Sequence, residues 1–227
     1  ATASPIKDGD ECKVEELPDG SILLNAKRYG SNNYGRLTNI FTFTNIATGE
    51  GTWDNVATSG TANTDGETFT SNCNAEIMLV PAKKVSDGSQ TYLLLLSGPA
   101  STNRFNGSIY WKELPATADE YRNPSNYVSG WTKYSWSSTY CGYTTMTLDD
   151  KGDIAMLDEN GGIHYQKFSL SDITKGAYTY HRSAKGTYKT TSEPTDVQRP
   201  TFNLNGGVYK GEQTVTINKP EETTIYY

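Results

Sequence analysis

Histidine and cysteine are scarce in this chain. Its 227 residues hold two histidines, His164 and His181, with no ligand-spaced partner. The three cysteines, Cys12, Cys73 and Cys141, are odd in number and form no C-x-x-C pair. Metal catalysis and a Ser-His-Asp triad therefore lose their main ingredient, neither a zinc site nor a disulfide framework is indicated, and the redox state of the thiols stays open. Apolar runs long enough to span a bilayer are missing, as is a signal-peptide core. Positive charge is also short: the net charge is −6, and no basic stripe offsets it. Nucleic acid would be repelled, although a few local arginines could still bind a small anion. Nor does any stretch repeat apolar residues at helical spacing over several turns.

Short alternating runs, bounded by Gly, Asp, Asn and Pro, recur instead from end to end and predict an all-β chain. "CKVEELPDGSILLNAKR" reads as strand, Asp19-Gly20 turn, strand. "AEIMLVPAKKVSDGSQTYLLLLSG" repeats this around Asp87-Gly88, and "TTMTLDDKGDIAMLDENG" around Lys151-Gly152. Glycine supplies the positive φ of tight hairpin turns, and this explanation of the Asp-Gly pairs is preferred to calcium binding. A third strand follows each hairpin, and a tryptophan-bearing return ("GTWDNV", "SGWTKY") follows the first two. Consecutive four-stranded units at a regular period suggest β-propeller blades over residues 1–190. Three blades cannot close a ring, so a missing N-terminal half or a partner chain is expected to complete it. The opening "ATASPIKDGDE" reads as a start in mid-protein, with any export signal upstream. Residues 191–199 read as a proline-bounded linker, and 200–227 as short alternating strands again.

In a propeller, loops from each blade's inner strands converge on one mouth. Glu11, the Lys27-Arg28 pair, Arg104 and Tyr143 fall at such positions. Each has an ordinary explanation alone: a solvated carboxylate, a loop arginine, a core or edge tyrosine among 16. A carboxylate, cations and a phenol without metal or histidine together suit glycoside cleavage on a sugar that itself bears a carboxylate. Neighbouring residues on a strand face opposite ways, so only one of Lys27 and Arg28 should face the pocket unless a bulge intervenes.

Four ordered segments between about Glu11 and Ser171 resemble the C-terminal half of a six-bladed exo-α-sialidase propeller. "ECKVEELPDGSILLNAKR" resembles the segment that begins with the family's catalytic glutamate, and "CNAEIMLV" is similar to its "C-Q-A-S-L" stretch. "LLLLSGPASTNRFNGSIYW" resembles the segment with the last substrate-carboxylate arginine, and "CGYTTMTLDDKGDIAMLDE" resembles the nucleophile segment. The resemblance implies Tyr143 as nucleophile and Glu11 as its base. It also implies Arg104 as a carboxylate clamp, Lys27, Arg28 and Asn74 as substrate-binding residues, and Glu159 as the acid that orients an arginine. Small neighbours around Tyr143 would leave its oxygen open to the anomeric carbon. It implies no cofactor and no metal, sialylated glycans as partners, and an extracellular or periplasmic location. Lys27 stands where the family has an arginine, Asn74 where glutamine is usual, and Thr48 of "IATGEGTW" where the Asp-box has its aspartate. The first clamp arginine and the acid/base aspartate would lie upstream. A non-catalytic glycan-binding propeller is the alternative, and a structural scaffold a third. "TFNLNGGVYKGEQTVTI" resembles the start of the Ig-like modules of hexosaminidases and other glycan-degrading enzymes.

Overall fold

The computed structural model describes residues 6, 9–28, 35–54, 68, 73–181, 201–202, 211 and 214–218. It divides into two units, Ala1–Thr187 and Tyr188–Tyr227. The expected linker lies outside the described residues. Of the expected Ig-like module, the described residues include one short antiparallel pair, Thr201–Phe202 with Ile217–Asn218; most of the rest lies outside them.

Among the described residues, the first unit is all-β with two short α-helices and one 3-10 turn, Pro124–Tyr127. Strands β1 (Gly9–Glu16), β2 (Ile22–Arg28), β3 (Arg36–Asn45) and β4 (Glu50–Trp53) form one antiparallel meander. A second meander contains β5 (Glu76–Lys84), β6 (Gln90–Pro99), β7 (Gly107–Glu113) and β8 (Thr132–Ser135). The third is β9 (Thr144–Leu148), β10 (Ile154–Glu159) and β11 (Ile163–Phe168). The expected tryptophan-bearing returns are β4 itself and, just after Trp131, β8.

The middle sheet is covered on both faces. Leu94 and Leu96 join Ile77, Leu79 and, from the first sheet, Leu17, Leu23 and Ile40. Leu93 and Leu95 point the other way, onto Met146, Ile154 and Met156 of the third sheet. The run "LLLL" is unbroken for this reason: a strand buried on both faces has no solvent side to alternate with. Three meander sheets stacked face to face, each beginning on an innermost strand, constitute a partial β-propeller.

At one end of the sheets, Gly20, Gly88 and Gly152 all have positive φ (84°, 73° and 85°). The turns are wider than two-residue hairpins. Leu17 and Asp149 each pair with the residue four ahead, leaving three-residue loops with glycine in the left-handed position. Asp19, Asp87 and Asp149 accept amide bonds from residues two ahead, Ser21, Ser89 and Lys151. In the turn between β3 and β4, Asn45 accepts the amides of Ala47 and Thr48 and holds that turn from one side.

The third sheet departs from the expected repeat. After β11 the chain enters helix α2 (Leu170–Thr174) and returns as β12 (Tyr178–Tyr180), which pairs antiparallel with β5 at the inner edge of the middle sheet. Ser169 and Asp172 close a reciprocal capping box that starts α2, and a Thr117/Glu120 box starts helix α1 (Ala118–Tyr121).

Candidate active site

All the candidate residues lie at the end of the unit opposite the glycine turns: where β1 and β9 begin, where β2, β6 and β10 finish, and just ahead of β5. At the start of β1 the register with β2 slips between Asp10 and Lys13. Glu11 sits in that bulge with φ of +44°, its N–H donating to the Asp10 carboxylate at 2.9 Å. A bulge re-aims a side chain that a regular strand would direct elsewhere.

Tyr143 precedes β9 and is 43% exposed. Its hydroxyl donates to Glu11 Oε1 at 3.0 Å, across 132 residues of sequence. The bond and charge of Glu11 hold the phenol above its ordinary ionisation range, while Arg104 pulls it down. The Arg104 guanidinium lies 5.5 Å from the centre of the Tyr143 ring, with the Tyr140 side chain also beside it. Arg104 also carries a positive φ, +61°, and its carbonyl accepts the Cys141 N–H at 2.6 Å. The neighbouring Tyr140 raises the guanidinium further despite its partial burial. Among the described residues no carboxylate forms an ion pair with Arg104. A guanidinium without an anion beside a hydrogen-bonded phenol–carboxylate pair is suited to hold an anionic group against an oxygen nucleophile.

The remaining candidates divide. Lys27 comes to the site, but its ammonium is spent on carboxylates: 2.9 Å from Glu11 Oε2 and 3.4 Å from Asp10 Oδ2. Arg28 does not come. It follows Leu24 and Ala26 along the other face of β2, toward the small cluster around Ile6 and Leu37, so its expected place in the pocket is corrected by strand alternation. Asn74 stands just ahead of β5 with its Oδ1 buried and unpartnered among the described residues. The Glu159 carboxylate abuts Gly142, where an added Cβ would fall 2.4 Å from Oε2. It pairs with no arginine among the described residues.

The small neighbours of Tyr143 thus have causes of their own. Gly142 is small because Glu159 lies on it, and Thr144 is tied to Ser97 by a 2.7 Å hydroxyl contact. Tyr143 is open because it precedes the strand.

Several residues at this end carry no sequence signal of their own. Arg36, 1% exposed and directly opposite Lys27 in register, donates to Asn25 Oδ1 at 2.8 Å and to the Cys73 carbonyl at 3.2 Å. One layer deeper, Glu76 accepts from Lys13 at 3.2 Å and from Thr145 at 2.9 Å, linking the three innermost strands. The three cysteines are free thiols. Burial raises Cys73, and it pushes Cys141 to about 12. Among the described residues no cluster of His, Cys, Asp and Glu could hold a metal ion.

No family model matches the chain, and no curated protein matches it. Among solved structures it is similar to the intramolecular trans-sialidase of Ruminococcus gnavus in complex with oseltamivir carboxylate. The identity is 20% and the TM-score 0.47, over 72% of this chain and 33% of that one. It is also similar to the leech intramolecular trans-sialidase complexed with 2,7-anhydro-Neu5Ac, at 20% identity and a TM-score of 0.46. That match covers 74% of this chain and 24% of the leech chain. The chain thus spans about a third and a quarter of these proteins.

Proposed function

We propose that this chain carries the nucleophile side of a retaining exo-α-sialidase site. Tyr143 is the nucleophile, Glu11 its base and Arg104 a clamp for the sugar carboxylate. The observation that carries this reading is the 3.0 Å bond from the Tyr143 hydroxyl to Glu11, with Arg104, which has no carboxylate partner among the described residues, beside the ring.

The chemistry follows from charge. A sugar with a carboxylate on its anomeric carbon repels a carboxylate nucleophile, and a phenol approaches it uncharged. A phenol is a weak nucleophile until its proton is drawn off during attack. Here the hydrogen bond already points at the acceptor, so the proton passes from Tyr143 Oη to Glu11 Oε1 as the Oη–C bond forms. The bond to the leaving oxygen breaks in the same step, and that oxygen takes a proton from an acid outside the residues named here. Water then attacks the anomeric carbon as the C–Oη bond breaks: Glu11 returns the proton to Tyr143 Oη, the water's proton passes to the conjugate base of the leaving group's acid, and the second inversion gives net retention. Arg104 matches a carboxylate with two parallel N–H donors. Substrates would be sialylated glycans met outside the cytoplasm.

A glycan-binding propeller is the second reading, favoured by Lys27 and Asn74 standing where the resembled family has arginine and glutamine. The parent protein and a fluorogenic sialoside separate the two. Retained turnover in Tyr143→Phe defeats the nucleophile assignment, and binding without turnover at any pH selects the lectin.

A further inference from the structure

The Glu11 carboxylate is divided between two environments. Oε1 accepts from the half-exposed Tyr143, whereas Oε2 is shut off from solvent and has the Lys27 ammonium 2.9 Å away as its counter-charge. The Lys27 side chain is itself only 15% exposed and touches Asp10 as well. An ammonium gathered by two carboxylates on its own sheet is poorly placed to receive a third from a ligand.

We infer that Lys27 is a positioning residue for Glu11, holding the base under Tyr143, and that it does not grip the substrate carboxylate. The inference rests on the roles of Tyr143 and Glu11 proposed above.

Three features support it. Glu11 sits in a bulge with φ of +44°, where a non-glycine residue persists only if its surroundings fix it. What fixes it is the bond from its amide to Asp10 and the ion pair of its Oε2 with Lys27, and Asp10 and Lys27 are register partners across β1 and β2. Second, Lys27 shares the face of Leu23 and Asn25 that packs on the middle sheet, so its reach to Glu11 is set by strand geometry. Third, burial pulls the ammonium down, and the bonds and charges of Glu11 and Asp10 more than offset this, leaving it raised. The charged and titratable groups around the pair are Asp10 and Lys13 on β1, Arg36 on β3 and Cys73 and Glu76 at the head of β5. Among the described residues, Cys12 and Arg28 adjoin the pair in the chain, and Arg104 with Tyr140 and Tyr143, and Glu159 on β10, lie at the same end.

The test reads Tyr143 directly. In protein labelled with ¹³Cζ-tyrosine, the Tyr143 signal is assigned by its loss in Tyr143→Phe and followed against pH. Lys27→Gln leaves the Glu11 charge uncompensated, so Tyr143 should ionise at higher pH than in the parent. Asp10→Asn leaves the Lys27 charge undiluted, so Tyr143 should ionise at lower pH. An unmoved midpoint in both variants overturns the inference, as does a fall in Lys27→Gln. In the parent protein with a fluorogenic sialoside, Lys27→Gln should lower kcat about tenfold and change KM less than about twofold, and Lys27→Arg should restore most of kcat. A raised KM with unchanged kcat makes Lys27 a clamp and overturns the inference. If no sialoside is turned over, the proposed function fails, while the tyrosine titration still decides whether Lys27 governs Glu11.

Discussion

Glu11 and Arg104 are the two members of the site whose backbone is out of the ordinary, each at positive φ. Such conformations cost about 1–3 kcal/mol each for a side-chain-bearing residue and survive where neighbouring bonds impose them. Here they turn a carboxylate and a guanidinium toward one phenol, and that phenol reports on both. Glu11→Gln removes the charge that holds Tyr143 neutral, so Tyr143 should ionise at lower pH than in the parent. Arg104→Ala removes the opposing cation, so Tyr143 should ionise at still higher pH. The tyrosine ¹³Cζ titration reads both outcomes. Glu11, Arg104 and Tyr143 each have an ordinary explanation alone, and only their shared place at one mouth and the four ordered segments that carry them singled them out in the sequence. Arg28 misled because adjacent strand residues point oppositely, and no local feature says which one faces inward. Asp10 and Tyr140 were silent: their importance lies in contacts with Lys27 and Arg104, which exist only once register and loop are set.

Among the elements, the hairpin of β9 and β10 has the most to show. Gly142→Ala drives a methyl into the Glu159 carboxylate and should cost about 1–3 kcal/mol in denaturant unfolding. Much of that loss should disappear when Glu159→Ala is added. At the far end of the same hairpin Lys167 bridges Asp149 and Asp153 at 2.8 and 3.0 Å. The Lys167 bond depresses Asp149 to about 2. A depressed carboxylate stabilises above its ordinary range, about pH 4, and that contribution fades as pH falls toward 2. The thermal midpoints of the parent and Lys167→Met should therefore differ near neutrality and converge over this window. The strands and turns were readable from alternation and from Asp-Gly pairs. The two helices were not, because each is a single turn, too short for periodicity. Their signal was the capping boxes "TADE" and "SLSD". Ser169→Ala removes one of these and should cost about 1 kcal/mol.

Across the molecule, stability is concentrated in the middle sheet. Leu94→Ala and Leu95→Ala delete side chains on opposite faces of one strand, each at most 1% exposed. Each should cost about 2–5 kcal/mol, and both should lower the same cooperative transition in calorimetry, because the sheets on either side lean on β6. The sandwiching that makes those costs large was readable in "LLLL". The way the middle sheet ends was not, since three residues of β12 resemble any other short alternating run. That closure has a consequence for synthesis. The inner border of β5 emerges from the ribosome long before the strand that seals it, and until β12 is made its hydrogen-bonding groups are open to any passing chain. Lys83 and Lys84 occupy this stretch, so like charge would keep nascent copies apart during the wait.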